Sequence, residues 1–192
     1  VLFRRQRQMC IRDRIGTGDR GKGIIKLLNK LDGFNVIAVC DILSFRLEEA
    51  YGLIKSNKNA KAYKDYRILL DDKNIDAVVI STPLNSHDQI AVDALDADKH
   101  VYCEKTLAKG VKATARIVNK CKTSKKIFQT GHQYHSSRMY TQLKEMIEGG
   151  KVGKISSIEA QWNRNGNWRR PVPDPSLELS LIHISEPTRL VS

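Results

Sequence analysis

The sequence predicts an α/β fold with a doubly wound parallel sheet, and three observations support this fold class. The 192-residue chain alternates short apolar runs of strand length with amphipathic stretches of helix length. Its apolar runs at 36–40 and 77–80 are continuous, as expected for strands that helices cover on both faces. A glycine-rich turn in the pattern G-x-G-x-x-G, from Gly16 to Gly21, opens the first predicted helix. These features together predict parallel strands joined by crossover helices.

The glycine turn has the spacing of a dinucleotide-binding turn. Gly16 permits a tight turn, Gly18 lets the backbone approach a pyrophosphate, and Gly21 lets the helix pack closely on the sheet. The free N–H groups and the positive dipole end of the helix would hold that pyrophosphate. Asp41 lies 20 residues after Gly21, at the end of an apolar run, where it can accept hydrogen bonds from an adenosine ribose. Because a carboxylate there repels a 2′-phosphate, NAD is expected rather than NADP.

The composition argues against several other classes of protein. A hydrophobic content of 41% supports a packed core, while no run approaches the roughly 18 apolar residues of a membrane helix. The four cysteines have no C-x-x-C spacing and no histidine cluster, so we expect reduced thiols, no metal site and a cytoplasmic location. The net charge is +12, and away from the two ends of the chain much of the positive charge is spread over lysines in polar stretches without interleaved aromatic residues. This pattern favours a solvated surface over a nucleic-acid or membrane partner.

Both ends of the chain resemble an in-frame translation of a transposon-based sequencing adapter. Residues 1–14 place Arg12, Asp13 and Arg14 where a buried parallel strand needs Val or Ile. Residues 179–192 contain the string LSLIHISEPTR, which matches the adapter translation letter for letter. We therefore expect 1–14 and 179–192 to be non-native segments. Burying Asp13 or Arg14 in the central strand should cost several kcal/mol or leave that strand unpaired.

The pattern of apolar residues assigns the remaining elements in order. Helices are predicted at 23–31, 47–56, 88–96, 111–122 and 140–148, with a short helical turn at 64–70. Strands are predicted at 36–40, 76–81, 100–105, 127–131 and 155–162. The last strand alternates apolar and polar residues, unlike the earlier continuous runs, and this change marks a domain boundary. We therefore expect a dinucleotide-binding domain at 15–150 and the start of a second domain at 151–178.

Local packing expectations follow from the same pattern. The first helix should bury a stripe formed by Ile24, Leu27, Leu28 and Leu31. The last helix should bury Leu143, Met146 and Ile147. Either Ser86 or Asn85 can cap the helix at 88–96.

Polar residues follow two of the predicted strands at the point where each strand ends. The stretch from Thr82 to His87 follows the strand at 76–81, and Glu104 and Lys105 end the strand at 100–105. Ligands of α/β sheets collect at these carboxyl ends. Lys105 can therefore be a hydrogen-bond donor or an acid/base in a cleft, or else a solvated lysine. His87 is either a surface residue of the first helical turn or part of the site.

With these residues in view, the chain resembles the Gfo/Idh/MocA family of NAD(P)-dependent oxidoreductases over residues 15–178. The resemblance rests on the glycine turn, Asp41, the stretch from Thr82 to His87, and the pair Glu104 and Lys105. It implies a Rossmann NAD(P)-binding domain followed by the beginning of an α+β open-sheet domain, in a parent that forms a homo-oligomer. The cofactor-binding residues it implies are Gly16, Thr17, Gly18, Asp19, Arg20, Gly21, Asp41, Thr82, Pro83, Asn85, His87, Glu104 and Lys105.

The resemblance also implies a catalytic role for Lys105. In the family, the lysine of a strand-end Glu-Lys-Pro motif binds substrate and assists proton movement, so Lys105 takes that role and Glu104 helps to position the site. Thr106 stands where the family has Pro, and the later D-x-x-x-H motif of the family has no counterpart in this chain. The chain thus carries most of a cofactor site and half of a catalytic site.

Three functions remain compatible with the sequence. The first is hydride transfer between a sugar or cyclitol hydroxyl carbon and NAD. The second is an NAD-dependent glycosidase of related fold, in which the cofactor oxidises the sugar only transiently. The third is a non-catalytic NAD-binding regulator or scaffold.

Overall fold

The computed structural model of the protein describes residues 12–161. The strands are β1 (Arg12–Ile15), β2 (Ala38–Cys40), β3 (Lys61–Tyr63), β4 (Ala77–Ile80), β5 (His100–Glu104) and β6 (Phe128–Gly131). The α-helices are α1 (Asp19–Leu28), α2 (Ser44–Gly52), α3 (Tyr66–Asp71), α4 (His87–Asp96), α5 (Val111–Thr123) and α6 (Arg138–Glu148). Short 3₁₀ turns cover Leu84–Ser86 and Gln133–Ser136.

The strands form one parallel sheet in the order β3-β2-β1-β4-β5-β6, which confirms the predicted doubly wound fold. Ile15 of β1 lies in register with Cys40 of β2 on one side and with Ile80 of β4 on the other. The chain runs outward from β1 through β2 to β3, and then returns to the other side of β1 through β4. The strand order therefore reverses between β1 and β4, and the carboxyl ends of these two strands form the crevice where such sheets bind ligands.

Successive residues of the inner strands pack into two separate cores. Val78 and Ile80 belong to one buried cluster, whereas Val79 between them belongs to the other. This alternation arises because neighbouring side chains of a strand point to opposite faces of the sheet. Each such side chain contributes roughly 1.5–3 kcal/mol by leaving water, which explains why these strands are apolar throughout.

Strand β1 forms despite its polar sequence, and it buries two charged side chains. Asp13 and Arg14 are both 0% exposed. Asp13 Oδ1 accepts hydrogen bonds from the backbone N–H groups of Ile37, at 3.1 Å, and Ala38, while Oδ2 has no partner. Burial raises the pKa of Asp13 to about 8. The sequence predicted either that Asp13 or Arg14 is buried at a cost or that the strand stays unpaired. The structure shows the first outcome, because β1 is paired and both side chains are buried.

Arg14 lies on the opposite face of β1 and is only partly satisfied. Its Nη2 donates to Ser81 Oγ at 2.8 Å, but Nε and Nη1 have no hydrogen-bond partner. Burial lowers the pKa of the Arg14 guanidinium to about 9, and the nearby Glu104 carboxylate acts in the opposite direction. The strand thus keeps its backbone pairing with β2 and β4, while buried side-chain atoms of Asp13 and Arg14 have no hydrogen-bond partner.

Several element predictions were wrong in detail. Helix α1 begins at Asp19 rather than residue 23, so its buried face runs through Gly21, Ile25 and Leu28. Leu27 and Leu31 are therefore exposed instead of forming a buried stripe. Strand β3 was not predicted, because it has only three residues and lies at the sheet edge with Lys61 and Ala62 exposed.

The predicted cap of α4 was also wrong. Ser86 precedes the helix but makes no side-chain capping hydrogen bond. Its hydroxyl instead contacts Thr82 Oγ1 and Pro83 O, both at 2.8 Å. The Leu84–Ser86 turn brings these groups together, so Ser86 closes the loop rather than capping the helix.

The chain divides into two compact units, residues 1–131 and residues 132–192. The first unit contains the whole six-stranded sheet, and the second contains α6. The assignment of 15–150 to one domain stays a prediction.

Leu143, Met146 and Ile147 of α6 are exposed, so their expected burial was wrong for the described residues. Residues 155–161 of the predicted final strand have no strand structure, and residue 162 lies outside the described residues.

Candidate functional site

The glycine turn lies at the carboxyl end of β1, between β2 and β4. Gly16 has a positive φ of 89°. Its backbone N–H donates to Cys40 O at 2.9 Å, while Ser81 N donates to Ile15 O at 2.9 Å. A methyl group on Gly16 would lie 2.7 Å from the Ser81 carbonyl carbon and the Thr82 nitrogen. Only glycine therefore fits this turn without a backbone shift.

Gly21 determines how closely α1 approaches the turn. A methyl group on Gly21 would overlap the carbonyl oxygen of Gly16 and lie 3.3 Å from Arg14 Nε. The missing side chain allows the first turn of α1 to pack directly against the backbone that leaves β1. The start of α1 is consequently held at the crevice between β1 and β4.

The amino end of α1 has the features of an anion site. Gly18 precedes the helix and provides no side-chain cap for the first N–H groups. A methyl group on Gly18 would meet only the Arg46 guanidinium, 3.6 Å from Nη1, and no backbone atom within 4 Å. The turn is thus open at the position where a pyrophosphate must approach closely, and the residues present fit a dinucleotide.

Asp41 connects the end of β2 to the glycine turn. Asp41 Oδ2 accepts hydrogen bonds from Thr17 N at 2.7 Å and from Thr17 Oγ1 at 2.8 Å, and Oδ1 accepts one from Leu43 N at 3.0 Å. Both Thr17 and Asp41 are buried. Since two carboxylate oxygens offer about four acceptor positions, these bonds leave room for one ligand hydroxyl. Asp41 therefore shapes the turn in addition to its predicted role at the ribose.

His87 connects the loop after β4 to the loop after β5. Its Nε2 lies 2.9 Å from Thr82 O, and its Nδ1 lies 3.0 Å from Thr106 O. His87 as a whole is only 2% exposed. Of the two interpretations left open for His87, the surface position is therefore wrong. Pro83 and Asn85, in contrast, are exposed beside this buried ring.

Glu104 lies at the centre of the polar groups at the end of β5. Its Oε1 accepts a hydrogen bond from Arg20 Nη2 at 2.7 Å and a longer one from Tyr102 Oη at 3.4 Å. Its Oε2 faces the backbone N–H of Lys105 at 3.3 Å. The Glu104 carboxylate raises the pKa of the Arg20 guanidinium through their hydrogen bond. The next residue, Lys105, is exposed, and the Lys105–Thr106 peptide bond is cis.

The structure thus gathers most of the predicted residues around one crevice. The turn residues and Asp41 lie on the β2 side, while Arg20 reaches across from the start of α1 to Glu104. Asp19, in the first turn of α1, is exposed.

Among the described residues, no group of three or more His, Cys, Asp or Glu side chains could hold a metal ion. Within the same part of the chain, no helix is long and apolar enough to cross a membrane.

Four residues of the site were not predicted. Arg46 lies beside Gly18, Ser81 binds the turn, Tyr102 contacts Glu104, and Gly131 packs against both Tyr102 and Glu104. Ser81 could have been found because it directly follows a buried strand at the switch point. Arg46 and Gly131 belong to the site only because of where α2 and β6 lie in the fold, and no local sequence pattern indicates these positions.

Several known proteins are similar to this chain in sequence. The family described as "Oxidoreductase family, NAD-binding Rossmann fold" matches residues 15–132. Inositol 2-dehydrogenase of Salmonella typhimurium is 36% identical over 142 residues, which cover 73% of this chain and 42% of the relative. A glycosyl hydrolase family 109 protein of Shewanella woodyi is 29% identical over 161 residues, covering 81% of this chain and 34% of the relative.

A solved structure shows the same architecture. The structure of myo-inositol dehydrogenase from Lactobacillus casei in complex with NAD(H) and myo-inositol aligns with a TM-score of 0.69 at 36% identity. The alignment covers 74% of this chain and 42% of that one. This chain therefore spans less than half the length of the inositol dehydrogenases that it matches.

Proposed function

Since this chain belongs to the oxidoreductase family with an NAD-binding Rossmann fold, we propose that its full-length form transfers a hydride between a sugar or cyclitol hydroxyl carbon and NAD. One observation carries this proposal. The Arg20–Glu104 contact of 2.7 Å brings the start of the dinucleotide-binding helix to the strand end that bears Lys105. A cofactor held at the turn and a substrate held by Lys105 would then meet in one crevice.

The cofactor would be held by the glycine turn and the start of α1. The N–H groups at the start of α1 would bind the pyrophosphate, and the remaining acceptor position of Asp41 would bind the adenosine ribose. When bound, NAD supplies the hydride acceptor, and the protein orients the reacting carbon. The buried Asp41 carboxylate disfavours a 2′-phosphate.

Lys105 would act on the substrate hydroxyl. Its side chain is exposed at the carboxyl end of β5, and its backbone is held by Glu104 before it. An ammonium group there can donate a hydrogen bond to the hydroxyl oxygen, and a neutral amine can take the hydroxyl proton as hydride leaves the carbon. The substrate class rests on the inositol dehydrogenases among the relatives, which share this portion of the fold.

An NAD-dependent glycosidase is the second candidate, because a glycosyl hydrolase family 109 protein is among the relatives. Product analysis separates the two reactions. A dehydrogenase forms NADH in proportion to oxidised substrate, whereas a glycosidase of this kind cleaves a glycosidic bond with no net NADH.

Two measurements test the proposal. Calorimetry on the 192-residue chain should show NAD binding more tightly than NADP, and no binding of either cofactor would refute the cofactor assignment. In a version extended to the length of its relatives, we expect NADH formation with inositols or sugars. Lys105→Met should abolish turnover while NAD binding persists. Lys109→Met removes another exposed lysine four residues later and should leave turnover unchanged.

A further inference from the structure

Arg20 and Glu104 form an ion pair between two elements that have separate roles in the proposed function. Arg20 is the second residue of α1, directly after the glycine turn, and Glu104 is the last residue of β5. The Arg20 side chain is 50% exposed, whereas the Glu104 side chain is 5% exposed. A carboxylate at this depth needs a cation or several donors, because burial without them is costly.

The surroundings of Glu104 fix its side chain in one place. A methyl group on Gly131, which lies in register with Glu104 on β6, would stand 2.9 Å from Glu104 Cα and 3.1 Å from Glu104 Cδ. The same methyl group would lie 3.0 Å from Tyr102 Oη. The absent side chain at Gly131 therefore makes the space that Glu104 and Tyr102 occupy. Within this space, the Glu104 carboxylate also accepts a hydrogen bond from Arg20 Nη2 at 2.7 Å.

The carboxylate of Glu104 links two groups through its two oxygens. Oε1 binds the Arg20 guanidinium at 2.7 Å, and Oε2 faces the Lys105 backbone N–H at 3.3 Å. Any rotation of the carboxylate that follows loss of Arg20 would change the contact with the Lys105 amide. A side chain from the proposed cofactor-binding helix thus contacts the same carboxylate that faces the backbone amide of the residue after β5.

We propose that Arg20 is a positioning residue, which holds Glu104 and through it the backbone of Lys105. This inference rests on the proposed function, since Lys105 is catalytic only if that function is correct. Arg20 then couples the anion-binding start of α1 to the catalytic strand end. The residue acts through Glu104 and need not touch the substrate.

The chain offers a matched control for Arg20. Arg116 is 51% exposed and pairs with Asp88, which is 13% exposed, at the same distance of 2.7 Å. That pair joins α5 to α4 and involves neither the glycine turn nor Lys105. Arg20→Met and Arg116→Met therefore remove the same charge from ion pairs of similar exposure.

The test follows the Lys105 backbone amide by ¹H–¹⁵N NMR in the 192-residue chain. Arg20→Met should shift the Lys105 amide resonance, Arg20→Lys should restore part of the shift, and Arg116→Met should leave it unchanged. The Lys105 amide resonance is also measured in the Arg14→Ile variant, because the Arg14 guanidinium interacts electrostatically with Glu104 as well. A Lys105 resonance that does not move in Arg20→Met, or moves equally in Arg116→Met, would overturn the proposal.

Glu104→Gln provides a second route if Arg20→Met does not fold. This variant keeps the shape of the side chain and weakens its contact with Arg20, and its effect is read by unfolding rather than by the amide of the adjacent Lys105. In a double-mutant cycle of urea unfolding, the Arg20 and Glu104 substitutions should be non-additive by about tenfold in the unfolding equilibrium constant. Additive effects would overturn the proposal. Failure of the wild-type chain to bind NAD would refute the proposed function alone, because the amide and unfolding measurements need no cofactor.

Discussion

Replacing Asp13 by Asn should stabilise the protein in a strongly pH-dependent way. Burial raises the pKa of Asp13 from 3.8 to about 8, so the folded chain binds a proton that the unfolded chain releases between these values. Stability therefore falls as pH rises from about 4 to about 8. With 1.36 kcal/mol for each pKa unit, the loss reaches roughly 6 kcal/mol at pH 8 and above, as an upper value. A typical domain has about 5–15 kcal/mol of stability, so this single carboxylate is a major term.

Asn is the suitable replacement because it resembles the protonated acid. Its carbonyl oxygen can still accept from Ile37 N and Ala38 N, and its amide group takes the place of Oδ2, which has no partner. Urea unfolding of both proteins from pH 4.5 to pH 8.5 measures the effect. The two should differ little at the acidic end, and Asp13→Asn should be more stable by several kcal/mol at the alkaline end.

A surface variant separates burial from net charge. Asp32→Asn removes the same charge at an exposed position and should show no such pH-dependent gain. The reasoning would be refuted if Asp13→Asn gave the same difference at every pH, or if it were less stable than the wild type at pH 8.

Three further substitutions test other parts of the structure. Arg14→Ile should raise the free energy of unfolding by about 2–4 kcal/mol, measured in urea, because it removes a buried guanidinium with two unpartnered nitrogens; a loss of stability would contradict this. Gly16→Ala should cost about 2–4 kcal/mol and abolish NAD binding by calorimetry, because its methyl group meets the backbone at Ser81 and Thr82. Asp41→Asn should improve the affinity for NADP relative to NAD by about tenfold, because it removes a charge that repels the 2′-phosphate; an unchanged ratio in calorimetry would argue against that role.

The sequence predicted the inner part of the fold because burial imposes a visible pattern there. The runs that became β2 and β4 are apolar on both faces, and helices cover both sides of the sheet. Strand β3 carries no such signal, since an exposed edge strand of three residues has neither length nor apolar content. The start of α1 was misplaced because the glycine turn itself enters the helix, and Gly21 is already on its buried face.

The candidate site was predictable where backbone geometry demands a residue type, and less so where side chains meet across elements. The positive φ of Gly16 and the close approach at Gly21 leave a glycine pattern that any reader of the sequence can recognise. The pairing of Arg20 with Glu104 spans 84 residues and depends on the packing of α1 beside β5. Nothing local in the sequence distinguishes such an arginine from a solvated one.

Strand β1 shows why a polar sequence can still occupy the centre of this sheet. Its residues 12–15 pair with β4 and its residues 14–15 pair with β2, through backbone groups that are available in Arg, Asp and Ile alike. The neighbouring strands and the glycine turn therefore define a strand position that accepts Asp13 and Arg14. The side chains then determine stability rather than topology, through the unpartnered Asp13 Oδ2 and the two unpartnered Arg14 nitrogens. The polar side chains of this segment thus affect the stability of the protein and its pH dependence, and do not alter the order of the strands.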